Sequence, residues 1–224
     1  MTHPALLLLV DGRFPTGGHG HSGGMEEAVA DGRVVDLDTL VGFLRGRLRT
    51  VGRCDAALSA AACSEAALDA PAWALLDAEA AARCPSAELR RSGRSLGRGL
   101  LRVAATAWPG PWASQLRTAL PDGPFVSVAL GAAAAAAGVE PRGAALAAAH
   151  GAAAAPAWAA VRLLGLDPLA VAAALAGLAP DIDAVARLVA DVGSDWSALP
   201  ALSAPLLDIG AERHHAWEVR LFAS

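Results

Sequence analysis

Alanine supplies most of the apolar content of this chain, and this feature restricts the fold more than any other. Hydrophobic residues make up 54% of the 224 residues, whereas aromatic residues make up only 4%. Alanine has the highest intrinsic helix propensity, and the aromatic and β-branched residues that favour strands are comparatively scarce. No stretch shows the apolar–polar alternation of a half-buried strand. The sequence therefore predicts an all-α protein, of a length that suits a single domain.

The charged residues exclude some classes of function. The chain has no Lys, Asn or Tyr, and all 18 basic residues are Arg. This pattern indicates a coding bias, so the abundance of Ala and Arg is not itself a functional signal. The net charge of -4 argues against nucleic-acid binding. Cys54, Cys63 and Cys84 lack CxxC spacing and are odd in number, which indicates reduced thiols and a cytoplasmic protein.

The longest uncharged stretch, from Gly143 to Val161, is mostly Ala. A membrane-spanning helix needs about 20 strongly apolar residues, and Ala adds little transfer free energy. We therefore expect a buried helix with closely packed neighbours, and no membrane span. The apolar N-terminal run follows no basic segment, so we expect no signal peptide.

Apolar periodicity and turn residues predict a compact bundle of about eight to ten helices. One long helix is predicted from Asp38, as N-cap, to about Ala67. Asp69 and the following proline mark the start of the next helix. Pro156 is expected to kink or split a helix that opens at Pro141.

We divide the single domain into three segments. Residues 1–24 form an N-terminal segment with a glycine-rich loop, and residues 25–193 form a helical core. Residues 194–224 combine turn residues with charged and aromatic side chains. This last segment is predicted to be a C-terminal tail that contacts a partner, and the sequence leaves open whether it is ordered alone.

The glycine-rich loop does not match a nucleotide-binding or catalytic site. The letters from Gly18 to Gly23 fit GxGxxG, but no βαβ pattern surrounds them, and a P-loop needs a Lys that the chain lacks. Ser22 and Glu26 have no nucleophile-elbow sequence around them. We therefore predict no catalytic residue and no enzymatic activity.

Four histidines lie near the two ends of the chain. His19 and His21 share the glycine-rich loop, and His214 and His215 are adjacent near the C-terminus. Imidazole is a common ligand of transition metals, nickel included. No HExxH and no Cys/His cluster accompanies them, so hydrogen bonding and transient metal contact both stay open.

Arginine and tryptophan residues provide candidate contact surfaces. Arg90, Arg94, Arg98 and Arg102 recur every four residues, so they form one helical stripe that is either solvated or docks an acidic partner. The tryptophans of the helical core, Trp158 among them, are predicted to anchor the core. Trp217 differs because it lies in the tail, and aromatic residues are frequent in protein interfaces.

Two motifs resemble the urease accessory protein family UreF. The first runs from Phe14 to Glu26 and is similar to that family's Pro-x-Gly-Gly-aromatic-x-x-Ser-x-Gly-Leu-Glu signature. The second, from Arg213 to Ser224, is similar to its "RHE…RLFRS" ending. The chain departs from these patterns at His19, where an aromatic residue is usual, and at Gly23, His215 and Ala223. The loss of Arg at position 223 removes a bidentate donor from the predicted contact.

The resemblance implies an all-helical homodimer that acts in urease maturation. It would bind the accessory protein UreD/UreH, recruit the GTPase UreG and help deliver nickel to apo-urease. On this reading the partner GTPase binds the GTP, the pathway handles the nickel, and the chain binds no cofactor firmly. The alternative is a metallochaperone that binds nickel directly through its loop and C-terminal histidines. The residues predicted to contact partners are Phe14, Pro15, Gly17, Gly18, His19, His21, Ser22, Glu26, Arg94, Arg98, His214, Trp217, Arg220, Leu221, Phe222 and Ser224.

Overall fold

The computed structural model describes residues 3–190 and 195–222. Within them it contains twelve α-helices and no strand, which confirms the all-α prediction; ten of the helices have seven or more residues. The helices are α1 (Pro4–Leu9), α2 (Met25–Ala30), α3 (Leu37–Arg49), α4 (Val51–Glu65), α5 (Trp73–Ala82), α6 (Ala87–Ala107), α7 (Trp112–Ala119), α8 (Val126–Ala136), α9 (Pro141–Leu164), α10 (Pro168–Gly177), α11 (Ala179–Leu188) and α12 (Pro205–His215).

Helix α4 lies at the centre of the bundle and packs most extensively against α8 and α9. Every residue of α4 from Ala56 to Cys63 is buried. The approach of α8 is so close that a Cβ built on Gly131 would lie 2.2 Å from the Ser59 carbonyl oxygen. Small side chains thus bring the backbones together, and the stabilisation comes from many short dispersion contacts rather than from large side chains.

Helix α9 is the second core helix. By length and composition it could cross a membrane, as could α10 and α11 if that bent pair were one span. However, 56% of its most apolar window is buried inside the fold, and Ala145, Ala149 and Ala153 are fully inaccessible. This burial is the pattern of a core helix, which agrees with the expectation from its alanine content.

Pro156 does not split the helix, because α9 runs without interruption from Pro141 to Leu164. Proline has no N–H, so the carbonyl of Ala152, one turn earlier, loses its helical donor. The Arg47 side chain from α3 replaces that donor, with its Nε 3.0 Å from the Ala152 oxygen. Pro156 itself is buried. A long-range side-chain contact therefore satisfies the group that the proline leaves unpaired.

The single helix predicted from Asp38 to Ala67 is in fact two helices. Asp36, not Asp38, is the N-cap of α3, in a capping box with Thr39. Thr50 separates α3 from α4 with φ -113° and ψ -103°. The periodicity of the apolar residues did not reveal this break, because both helices keep helical spacing. After this break α4 runs through the core, whereas α3 keeps one buried face.

Two further predictions were wrong in detail. Helix α5 begins at Trp73 rather than near Asp69, because the Glu65 carboxylate accepts the N–H of Ala72 at 2.5 Å and holds the connection against α4. Trp73 is buried as predicted, but Trp158 is 45% exposed. The inner face of α9 is filled by alanines, so the indole of Trp158 lies on the outer face.

The close contact between α4 and α8 generates a test. We expect Gly131→Ala to lower the free energy of unfolding by about 1–3 kcal/mol, because its methyl group meets α4 backbone that has no room to move. The control is Gly151→Ala in α9, where a Cβ meets nothing within 4 Å. That change should be neutral or should stabilise by up to about 1 kcal/mol through helix propensity. Urea denaturation measures both, and equal stabilities for the two variants would contradict the packing argument.

Candidate partner interface

The glycine-rich loop turns sharply and leads into α2. Gly17 and Gly24 adopt left-handed φ values of 86° and 87°, which favour glycine. A Cβ on Gly24 would also lie 2.9 Å from Leu207 of α12. The Ser22 hydroxyl accepts the N–H of Glu26 at 3.3 Å and is buried. Ser22 thus pairs with a backbone N–H in the first turn of the short helix α2, whose N-cap is Gly24.

The carboxylate of Glu26 joins the two ends of the chain. It is 7% exposed and accepts the backbone N–H groups of Leu221 at 2.8 Å and Phe222 at 3.0 Å. The Nε2 of His214 lies 2.9 Å from the same carboxylate, in the geometry of a donor. A buried carboxylate needs such donors to offset its lost hydration. Glu26 therefore fixes the course of the chain after α12.

The neighbouring Glu27 holds α12 in the same way. Its carboxylate pairs with Arg213 of α12 and with Arg33, and Asp31 lies 3.1 Å from the Arg213 guanidinium. The hydrogen bond with Glu27 raises the pKa of Arg213. Gly210 makes this packing possible, since a Cβ there would lie 2.5 Å from a Glu27 oxygen. Two adjacent glutamates of α2 thus bind both α12 and the segment that follows it.

Helix α12 is also tied to the start of α6. The Glu212 carboxylate accepts the Ser86 hydroxyl at 2.6 Å and the Glu88 N–H at 3.0 Å. His215 lies 3.3 Å from the Glu88 carboxylate. Acidic side chains are favourable at a helix N-terminus, where backbone N–H groups are unpaired. The described part of the predicted tail therefore packs on α2 and α6.

A cavity of about 180 Å³ lies behind the loop, between α3, α4, α6 and the segment before α12. Its wall includes Arg47, Asp55 and His21, and the His21 ring is 3.0 Å from the Ser92 hydroxyl. Burial raises the pKa of Asp55 to about 6, while the positive charge of Arg47 opposes that shift. Asp55 thus carries its charge at a cost to the folded state.

Part of the predicted contact set is structural in this fold. The Phe14 ring is buried 5.9 Å from that of Trp108, and Phe222 and His214 are also buried. Arg94 pairs with Asp77 at 2.8 Å and covers the ring of Phe125. These side chains shape the surface from within. Their direct contacts with partners stay predictions.

Other predicted residues are accessible. Leu221 is 75% exposed, and Pro15, His19, Arg98 and Arg220 are exposed as well. Trp217 is half-buried, with its ring 4.7 Å from that of His214. Ser224 lies outside the described residues. The predicted Arg stripe is divided, since Arg94 is used internally and Arg98 donates to the Asp122 carbonyl at 2.8 Å near the surface.

Comparison with known proteins identifies the family. The family model described as UreF matches residues 34–179. A urease accessory protein UreF from Mycobacterium sp. (strain JLS) is 44% identical over all of this chain and 99% of its own length. The UreF of Mycolicibacterium vanbaalenii is 45% identical over 98% of this chain and 97% of its own, and that of Mycobacterium tuberculosis H37Rv is 38% identical over the full length of both. The chain belongs to the UreF family.

Membership of the UreF family places the chain among the proteins of urease maturation, as the resemblance implied. The family model begins after the glycine-rich loop and ends at the first residue of α11, so it covers neither motif on which the resemblance rested. The full-length relatives do cover both. In the structure these motifs contact each other through Glu26, so the two ends that looked distinctive in sequence form one site.

Several residues of this site were missed by the sequence analysis. Glu27, Arg162 and Glu212 each bind a segment distant in sequence, and nothing in their local sequence indicates a partner. Val219 is 83% exposed beside Leu221 and was not selected. For Val219 a signal was available, because an apolar residue between Glu218 and Arg220 suggests an exposed position.

The role of Glu26 is testable in this UreF-family chain. We expect Glu26→Gln to lower the free energy of unfolding by about 1–3 kcal/mol. The carboxylate accepts three hydrogen bonds through its two oxygens, whereas the amide has one oxygen and one NH2 group. The NH2 group cannot accept, so at least one donor is left unpaired. Glu218→Gln, an exposed change in the same terminal segment, is the control and should have almost no effect. Urea denaturation compares them, and a wild-type stability for Glu26→Gln would refute the anchoring role.

The pKa of Asp55 predicts a pH dependence. Its folded-state pKa of about 6 exceeds the usual 3.8, so stability is lost as pH rises from about 4 to about 6 and stays lower above that. Asp55→Asn removes this loss. We expect the stability of the variant relative to wild type to increase by about 1–3 kcal/mol between pH 4 and pH 7. Thermal or urea unfolding at several pH values measures it, and a pH-independent difference would contradict the prediction.

Proposed function

We propose that this chain is a non-catalytic scaffold of urease maturation. It binds the accessory protein UreD/UreH, recruits the GTPase UreG and assists delivery of nickel to apo-urease. The observation that carries this proposal is the set of hydrogen bonds by which Glu26 joins the two terminal motifs. Glu26 binds the backbone N–H groups of Leu221 and Phe222, so Val219, Arg220 and Leu221 project from a backbone that is held in place. Fixed apolar and Arg side chains are typical of interface contacts, because little conformational entropy is lost on binding.

The geometry of the loop supports a role in binding rather than in catalysis. The Ser22 hydroxyl is buried and already accepts a hydrogen bond from the α2 backbone, so it is poorly placed to attack a substrate. The relatives are named accessory proteins. We therefore propose that GTP hydrolysis belongs to UreG and that this chain binds no cofactor firmly.

The alternative of direct nickel binding has less support. Among residues 3–190 and 195–222, no group of three or more His, Cys, Asp or Glu side chains is arranged to hold a metal ion. His21, His214 and His215 contact Ser92, Glu26 and Glu88 respectively. Such contacts compete with a metal for the ring nitrogens. We propose that nickel passes through the assembled complex as cargo.

A homodimer and a cytoplasmic location complete the proposal. Apolar side chains of α9 and α10, Trp158 and Leu169, are 45% and 79% exposed, as expected of a surface that a second copy covers. The three cysteines are free, and burial raises the pKa of Cys63 and Cys84 to about 12. Thiols with these properties suit a reducing compartment.

The exposed terminal side chains provide the test. We expect Val219→Asp combined with Leu221→Asp to weaken binding to UreD/UreH or UreG at least tenfold, because two charges would be buried in an apolar contact. The fold should tolerate both changes, since both side chains are exposed. The control is Leu75→Asp on α5, where the side chain is 66% exposed. Size-exclusion chromatography with light scattering and titration of the full chain with each partner measures complexes and the dimer together.

Two outcomes would contradict the proposal. If the wild-type chain forms no complex with UreD/UreH or UreG, the scaffold role is refuted. If the chain alone binds nickel with sub-micromolar affinity, and loses it when His19 and His215 are replaced, direct metal binding is favoured instead. If the double variant and the wild type bind equally well, the scaffold role still stands, but the terminal segment is excluded as the surface that contacts the partner.

A further inference from the structure

Arg162 lies at the surface and contacts both terminal motifs. It lies in the last turn of α9, with its side chain at the surface. One terminal nitrogen donates to the carbonyl oxygen of His19 in the glycine-rich loop at 3.2 Å. The centre of the guanidinium lies 4.1 Å from the ring centroid of Phe222, near the other end of the chain. One side chain thus contacts residues 143 and 60 positions away.

Within residues 3–190 and 195–222, the charge of Arg162 is not used in an ion pair. Among the residues that the structure describes, no carboxylate lies within 4 Å of its guanidinium. Arg142, at the opposite end of the same helix, differs because it pairs with Asp183 at 2.9 Å. Both side chains are exposed. The contacts of Arg162 are therefore a carbonyl and an aromatic face, which are directional and favour one arrangement of the two segments.

Arg162 and Glu26 both contact the terminal segment, Glu26 as a buried residue and Arg162 as an exposed one. Glu26 accepts the backbone N–H groups of Leu221 and Phe222 from within the fold. Arg162 covers the Phe222 ring from the solvent side. The glycine-rich loop has left-handed glycines at Gly17 and Gly24, and glycine has access to more backbone conformations than other residues. The bond to the His19 carbonyl restricts that freedom where the loop meets the terminal segment.

We infer that Arg162 is a positioning residue of the partner interface. It aligns the glycine-rich loop with the terminal segment, so that His19, Arg220 and Leu221 meet a partner as one surface. The partner that fits is a protein surface with an apolar recess for Leu221 and carboxylates for Arg220. This inference rests on the proposed scaffold function and adds a residue that neither motif contains.

The test compares the full-length wild type with Arg162→Met, Arg162→Lys and Arg142→Met. Hydrogen exchange of the Leu221 and Phe222 amides, followed by NMR, reports whether the terminal segment stays docked without a partner. We expect Arg162→Met to reduce protection of these amides at least roughly tenfold, because one cation–π contact and one charged hydrogen bond are lost. Arg162→Lys keeps a cation over the ring and should recover most of the protection. Arg142→Met should have no effect there.

Binding of UreD/UreH and UreG by the same variants gives the second readout. The apparent Kd should rise for Arg162→Met by up to the factor by which the docked population falls. The melting temperature should stay close to wild type, since the side chain is exposed, and this separates positioning from loss of the fold.

Three results would overturn the inference. The first is unchanged protection of both amides in Arg162→Met. The second is lost protection with equal or tighter partner binding, which would mean that the undocked segment is the binding form. The third is an equal loss in Arg162→Lys and Arg162→Met, which would exclude the cation as the cause. A wild-type chain that binds neither partner refutes the proposed function itself, and that result is distinguishable because it does not depend on the variant.

Discussion

The close approach of α4 to α8 and α9 is the constraint on which the other elements depend. Alanine and glycine at the contacts bring the helix backbones together, as at Gly131 and Ser59. With few large apolar side chains, the core has to gain its stability from close packing over long helices. Helix α9 must therefore stay continuous through Pro156, and Arg47 makes this possible by donating to the Ala152 carbonyl. A polar contact between α3 and α9 thus maintains an apolar core.

Polar contacts also hold the candidate interface together. Helix α2 has only six residues, yet its glutamates Glu26 and Glu27 bind the terminal segment and α12. Charged hydrogen bonds replace the apolar burial that so short a helix lacks. The result is a hydrogen-bonded backbone that carries exposed side chains. Phe222 and His214 face inward, whereas Leu221 and Arg220 face solvent, so the residues that most resemble a binding motif divide between support and contact.

The local sequence was informative where the cause of a structure is local. Ser86 caps α6, Gly138 ends the region of α8 with a left-handed φ, and Asp167 with Pro168 starts α10. The local sequence was not informative where contacts with residues distant in the chain determine the structure. The break at Thr50 and the continuity at Pro156 depend on how α3, α4 and α9 pack, and no neighbour in sequence reports that packing. The docking of α12 was missed for the same reason, because Glu212 finds its donors more than 120 residues away.

The sequence by itself determined the helical class, through its alanine content and helix caps, and it indicated the UreF family through two terminal motifs. Both conclusions rest on information that neighbouring residues carry. Only the tertiary structure decided that the two motifs form one site. Glu26 and Phe222 are separated by 196 positions, and a buried carboxylate selects its donors by distance and direction in the folded chain. Exposure was decided there too, since Phe222 and Leu221 are neighbours in sequence with opposite environments.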